Sequence, residues 1–268
     1  FACIAIAIMT FFGGIFLGQE SGFGSLQSYL LFIIAVIALG LFIMVERKRK
    51  SPLIKFAIFK NKIFTLSLLS AVLIFASNFF VNVVIPFYLQ DARKLSASYA
   101  GLLMMVFPLL MVVGAPLSGY LTDKIGPGIL TFGGLLLLCC TSLMYMFLDM
   151  NSPIWYYVIA TAIMGLGNAL FQSPNNTMVM SSVEKQDLGV AGSMNSFARN
   201  LGMVIGIALS TTILYRGMSE AYGERVTTYL ANRPDIFIVG MRETFFVAFL
   251  LCVAAFILTI LRFRKTTK

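Results

Sequence analysis

Long apolar runs, separated by short polar or Gly/Pro-containing connectors, organise this chain. They occupy residues 1–17, 26–45, 63–87, 99–121, 129–148, 154–180, 189–214 and 244–261. A helix rises ~1.5 Å per residue, so about 20 apolar residues cross the ~30 Å hydrocarbon core of a bilayer. The pattern therefore predicts an all-α, polytopic membrane protein with eight transmembrane helices. The first two runs, joined by a Gly/Ser-rich connector over residues 18–25, read as a helical hairpin. The longest run, 154–180, is accommodated by tilt or by protrusion at one end. A β-barrel would need short segments alternating apolar and polar residues, and these runs are continuously apolar.

Composition agrees with the pattern. Hydrophobic residues make up 59% of the chain, charged residues 12%, and the mean hydropathy is +0.90. Soluble domains are about half apolar and one-quarter charged, so this chain cannot hide its apolar surface from water. It opens at Phe1 inside an apolar run, without an initiator Met or a basic leader, and reads as a piece of a longer protein.

The placement of the +9 formal charge predicts sidedness, because Lys and Arg collect in short cytoplasmic connections. Arg47, Lys48, Arg49, Lys50, Lys55, Lys60 and Lys62 crowd the connection after the second run, and Arg262, Arg264, Lys265 and Lys268 form a basic tail. Six spans lie between them, so both ends of that set fall on the cytoplasmic side of a plasma membrane. Asp123, Lys124, Glu184, Lys185 and Asp187 are then inside, and Asp91, Arg93, Lys94 and residues 215–241 outside. A basic run between two spans is what topology and anionic lipid require, so nucleic acid is not expected as a partner. Ser51-Pro52 followed by Leu53, Ile54, Phe56, Ile58 and Phe59 predicts a short interfacial helix. In the outer region Met218, Tyr222, Val226 and Tyr229 recur at helical spacing up to Arg233-Pro234-Asp235; a small surface helix and an irregular loop both fit.

Several chemistries are excluded. The chain has no His, which removes a Ser-His-Asp arrangement, a His metal site and a His proton relay. Cys3, Cys139, Cys140 and Cys252 sit inside apolar runs without metal-ligand spacing and read as packing residues. No P-loop occurs, and Gly165-Leu166-Gly167 lacks the strand-to-helix context of a dinucleotide fingerprint. No cofactor, metal site or catalytic pair is expected, and energy must come from a gradient or from sequence outside this piece.

Polar residues inside the runs carry the functional signal. Arg199 lies about eleven residues into its span, ~16 Å along a helix. A central Arg costs ~2.5–3.5 kcal/mol on insertion scales, while each Leu, Ile or Val returns only about 0.3–0.6. It must therefore face other helices or a wet cavity, together with Asn195, Ser196 and Asn200. Two readings stand: the guanidinium binds an anionic substrate or tunes a carboxylate elsewhere, or it ties two helices together. In the preceding span Asn168, Gln172, Asn175 and Asn176 share one helical face, and Pro174 within that stripe removes a backbone hydrogen bond. Asn78 and Asn82 form a shorter stripe. Each amide alone is helix glue worth ~0.6–2 kcal/mol; two stripes with Arg199 point to a shared water-filled cavity. Ala198, Gly202, Gly206 and Ser210 make a small-residue groove for close helix approach, and Pro108, Gly114 and Pro116 mark a bendable helix. No Asp or Glu falls near the middle of any run.

The run Gly119-Tyr120-Leu121-Thr122-Asp123-Lys124-Ile125-Gly126 resembles the cytoplasmic Gly-x-x-x-Asp-Arg/Lys-x-Gly signature of the major facilitator superfamily. It falls where the charge count independently puts a cytoplasmic turn. The stretches Gln172-Ser173-Pro174-Asn175-Asn176-Thr177, Gly189-Val190-Ala191-Gly192 and Ala198-Arg199-Asn200-Leu201-Gly202 are similar to the fourteen-span drug:proton antiporters of the EmrB/QacA type. The hairpin followed by basic residues and Pro52 looks like the helix pair those proteins insert between their halves. The resemblance implies spans seven to fourteen of such a protein: an inserted hairpin over 1–45, a basic connector over 46–62 and a C-terminal six-helix bundle over 63–268. It implies a gating role for Gly119, Asp123, Lys124 and Gly126, and a pathway role for Pro174, Asn175, Asn176, Arg199 and Asn200. Asn78, Asn82, Asn168, Gln172 and Asn195 join the pathway through the stripes. The implied activity is proton-coupled export of drug-like or amphipathic small molecules by alternating access, completed by an N-terminal half. A transporter-like membrane sensor or scaffold is the alternative.

Overall fold

The computed structural model describes residues 2–21, 26–47, 56–230 and 233–266. Residues 48–55, with most of the basic connector and the first part of the expected interfacial helix, lie outside them, as do 22–25 of the hairpin connector and Lys268. The described part of that interfacial segment is a single 3-10 turn, Phe56–Lys60. The chain divides into two compact units, residues 1–58 and 59–268.

The first unit is an antiparallel pair, α1 (Ala2–Ser21) and α2 (Leu26–Arg47). Both are long enough at ~1.5 Å per residue to cross a hydrocarbon core. Small residues let them meet: a Cβ on Gly14 would lie 3.3 Å from the Phe32 ring, and Phe11 meets Phe32 edge-on at 5.9 Å. Ala7, Ala35, Ala38 and Phe42 are buried, while Ile33, Ile34, Val36 and Ile37 face outward, as lipid-facing positions should.

The second unit contains, among the described residues, six spans that are long and apolar enough to cross a membrane. The first is α3 (Lys62–Pro86), whose start is capped by the Asn61 side chain accepting from the Ile63 and Phe64 amides. At Pro86 the winding loosens into a π-type turn, Phe87–Ala92, because proline offers no N–H to the α ladder. The second span is two helices, α4 (Ala97–Met104) and α5 (Val106–Ile125), parted where Pro108 deprives the Met104 carbonyl of its donor. Pro116, by contrast, lies within unbroken α5. Then come α6 (Pro127–Met146), α7 (Ile154–Ser181), α8 (Leu188–Tyr222) and α9 (Pro234–Thr266).

Two outer features differ from the sequence expectation. The helical spacing of Met218 and Tyr222 belongs to α8 itself, which runs 35 residues and stops at Gly223. That residue takes the left-handed backbone, φ +85°, that glycine adopts without strain. Val226 and Tyr229 follow in non-helical chain, Val226 buried and Tyr229 edge-on to Phe237 at 5.5 Å, so the segment is a packed loop and no separate surface helix. Burial raises the Tyr229 phenol above its ordinary pKa, and the Asp91 charge adds to this. Arg233-Pro234-Asp235 begins a helix: Pro234 is the first residue of α9, a position that suits its fixed φ. Glu243 consequently sits inside α9, as its tenth residue, not at a connection.

Of all the pairs, α3 and α8 are the most extensively packed, and the small-residue groove explains it. Ala198, Gly202, Gly206 and Ser210 are all buried; a Cβ on Gly202 would strike the Val72 carbonyl, and one on Gly206 the Ala76 carbonyl. Gly165 likewise lets α7 approach α5, where a Cβ would come within 2.8 Å of Leu110 Cβ. Between these crossings lies an apolar core that includes Ile74, Phe80, Val84, Leu135, Tyr145, Phe171 and Phe245. Replacing Gly206 with Ala should therefore destabilise the bundle by about 1–3 kcal/mol through overpacking against backbone. Gly133→Ala, where a Cβ meets nothing within 4 Å, should cause no loss. Thermal melts of both variants in detergent test this; equal midpoints would contradict the close α3–α8 crossing.

Candidate functional site

The amide stripe of α7 radiates to four helices. At ~100° per residue the offsets of four, seven and eight from Asn168 spread over a sector about 100° wide, so the row as a whole meets α3, α5, α8 and α9. Asn168 is fully buried and pairs face to face with Asn78 of α3: Asn78 Nδ2 donates to Asn168 Oδ1 at 2.5 Å, and Asn168 Nδ2 donates to Asn78 Oδ1 at 3.1 Å. Gln172 Nε2 reaches Asn168 Oδ1 at 3.4 Å and Met111 Sδ of α5 at 3.8 Å. Asn175 Nδ2 donates to the Ser67 carbonyl of α3 at 3.2 Å. Asn176 Oδ1 accepts from Asn195 Nδ2 of α8 at 2.8 Å. Pro174 is buried within this row, in a helix that continues to Ser181; the row bridges helices on both sides of the missing backbone donor.

A cavity of about 270 Å³ opens beside the row. Its walls come from α3 (Ala71, Phe75), α5 (Met111, Ala115), α7 (Ala169, Phe171, Gln172, Ser173, Asn175, Asn176) and α8 (Asn195, Arg199). Arg199 is solvent-accessible, its Cζ 5.7 Å from the centroid of the Phe75 ring, within range of a cation–π contact. Among the described residues it has no hydrogen-bond or ion-pair partner, and no carboxylate lines the cavity.

Not every expected site residue lies here. Asn78 and Asn168 form a buried tie rather than cavity wall. Asn82 is exposed one turn further along, donating to the Asn78 carbonyl at 3.2 Å. Asn200 is exposed and outside the lining. The gating sequence closes α5 and opens α6: Gly126 has φ +87°, a conformation natural to glycine, and Pro127 begins the next helix. Gly119 lies 3.8 Å, measured from an added Cβ, from Ser173 Oγ of α7. Lys124 Nζ stands 4.6 Å over the Tyr120 ring. Asp123 is exposed and has no hydrogen-bond or ion-pair partner among the described residues.

One residue changes role. Arg262, expected in the basic tail, is 1% exposed within α9 and donates from Nη1 to Ser67 Oγ at 2.8 Å and to Asn175 Oδ1 at 3.2 Å. It thus fixes the amide of a cavity-lining residue and joins α3, α7 and α9 at one node. The apolar run ends at Leu261, but the helix does not. The signal was the small-residue face Cys252, Ala255 and Thr259, all buried, whose i, i+3, i+7 spacing continues to 262.

The connections group as the charge pattern paired them. At one end Asn61 Nδ2 donates to the Ser182 carbonyl at 2.7 Å, joining the starts and ends of α3 and α7. At the other, Arg93 Nη1 donates to the Ser152 carbonyl at 2.6 Å and to Tyr88 Oη at 3.1 Å, while Arg242 and Asp149 pair at 3.4 Å. The thiols of Cys139, Cys140 and Cys252 are free; Cys252 packs against Ser77 Oγ at 3.2 Å. A double-mutant cycle on Asn78→Ala and Asn168→Ala should give a coupling of about 0.6–1.7 kcal/mol, measured from unfolding in detergent. Additive losses would mean that the two amides do not act as a pair.

Comparison with known proteins bears on the same features. The family model of the Major Facilitator Superfamily matches residues 1–207 and again 68–268. The chain is 29% identical over 236 residues to the riboflavin transporter RibZ of Clostridioides difficile, covering 88% of this chain and 50% of that protein. It is 29% identical over 219 residues to the multidrug transporter protein MdtP of Bacillus subtilis, covering 81% and 40% respectively. With the multidrug resistance protein Stp of Mycobacterium tuberculosis it shares 25% over 202 residues, 75% of this chain and 37% of that protein. The chain thus spans about half the length of the relatives it matches. Since that family model runs along the whole chain, and the described residues form a bundle of long apolar helices, the chain belongs to the major facilitator superfamily of multi-pass membrane transporters.

Proposed function

We propose that this chain is the inserted hairpin and C-terminal six-helix bundle of a fourteen-span exporter that moves drug-like or amphipathic small molecules by alternating access, driven by protons. The observation that carries the reading is the cavity. A polar wall with an accessible guanidinium, past the middle of α7 and about a third of the way along α8, has no structural necessity in a bundle already held by glycine crossings and buried amide ties. A solute path requires one. The relatives named for riboflavin and for drugs have small organic solutes in common.

In this reading the end bearing Asn61, Asp123 and Ser182 is cytoplasmic, the basic connector and the C-terminus lie on that side of the plasma membrane, and the second half of the cavity comes from the N-terminal six helices. Asp123, without a hydrogen-bond or ion-pair partner among the described residues, is available to helix N-termini of the other half, where a carboxylate is favoured by about 0.3–1 kcal/mol and up to ~2 when partly buried. It would hold the cytoplasmic gate closed, with Lys124 beside it and Gly119 and Gly126 shaping the turn. The acids among the described residues of the bundle lie in connections or toward helix ends, Glu243 farthest in as the tenth residue of α9, and none lines the cavity, so in this reading the proton-carrying carboxylate belongs to the remainder of the full-length protein.

Deleting the full-length protein should raise intracellular accumulation of its solutes, and Asp123→Asn should cut export by roughly two- to thirtyfold, the range implied by ~0.3–2 kcal/mol, with normal membrane insertion. Efflux assays on energised cells with an insertion control by fluorescent fusion test this. Unchanged accumulation on deletion would instead favour a sensor or scaffold with a transporter-like fold.

A further inference from the structure

We infer that the cavity beside Arg199 selects planar aromatic carboxylates, so that the transported species is an aromatic acid in its anionic form and not a cation. The inference rests on the reading of this cavity as the solute path, and adds its chemical class.

Three observations support it. First, Arg199 brings a planar fork of donors to the cavity, and none of them is engaged by another described residue. A guanidinium in that state matches a carboxylate bidentately, whereas a neutral ligand would desolvate those donors without replacing their water. Second, the lining contains no Asp or Glu, so a cationic solute would find no countercharge on this wall and would be repelled by Arg199. Third, the Phe75 ring lies under the guanidinium at 5.7 Å, with Met111 nearby in the wall. These are flat or soft apolar surfaces suited to a ring system, next to the Gln172 amide as a hydrogen-bonding edge. A volume of about 270 Å³ is near the lower limit of ligand pockets, ~300 Å³, and admits a fused two-ring solute in this half of the path.

A carboxylate for Arg199 could also come from the protein's own N-terminal half, and the test separates the two sources. The full-length protein in everted vesicles is assayed with radiolabelled naphthoate, with its uncharged isostere naphthamide, and with ethidium. The wild type should transport naphthoate more efficiently than naphthamide. Arg199→Gln should lower the naphthoate-to-naphthamide efficiency ratio about tenfold or more, through KM. Arg199→Lys, which keeps the charge and loses the fork, should lower it a few-fold, and it serves as the readout if the Gln variant fails to insert. An equal loss for both naphthalene solutes would assign Arg199 to a protein carboxylate and overturn the inference. Preferential ethidium transport with the ratio untouched by either substitution would also overturn it while leaving transport standing. No gradient-driven movement of any of the three would instead overturn the reading of the cavity as a solute path.

Discussion

Inside hydrocarbon a side-chain amide has no water to turn to, so each one must be answered by another group of the protein. The row on α7 meets that requirement in four directions: Asn168 with Asn78, Gln172 with Met111, Asn175 with Ser67 and Arg262, and Asn176 with Asn195. Helical spacing alone dictates the fan, and the fan ties α7 to α3, α5, α8 and α9. The same row then forms the polar wall of the cavity. Structure and candidate function therefore rest on one set of side chains, the inner ones saturated and the outer ones, with Arg199, left accessible.

Glycine supplies the complementary constraint. Interhelical amide ties are short and need backbones close together, and Gly202, Gly206 and Gly165 let α8 approach α3 and α7 approach α5. In lipid there is no hydrophobic drive to press helices together; close van der Waals packing replaces it. A cavity flanked by such tight crossings keeps its shape without a continuous apolar plug.

Much of this was legible in the sequence. Apolar runs fixed the number and order of spans because bilayer thickness is a strict ruler. The amide stripe, the α8 groove and the turn at Gly126 followed from spacing that survives whatever the neighbours are. What escaped were features that composition does not distinguish. Arg262 follows an apolar run and precedes basic residues, just as a tail residue would, and only the buried face ending at Thr259 separates it from Arg264. The last turns of α8 and the first turns of α9 carry Arg216, Glu220, Arg242 and Glu243 and so looked like a connection. They are helical because a helix satisfies its own backbone whether or not it is still in the membrane. Sequence placed Asn78, Asn82 and Asn200 in the path without distinguishing a buried tie or an exposed helix face from a cavity wall, since that depends on the neighbouring helix.

The central claim is that the wall containing Gln172 is reached in turn from each side of the membrane. It is tested most directly by placing a single cysteine at Gln172 in the full-length protein, its other cysteines replaced, and labelling it with a membrane-impermeant maleimide from one side or the other. The account predicts reaction from both sides, slowed by bound solute and shifted between sides by the proton gradient. Reaction from one side only under every condition, or from neither, would contradict it.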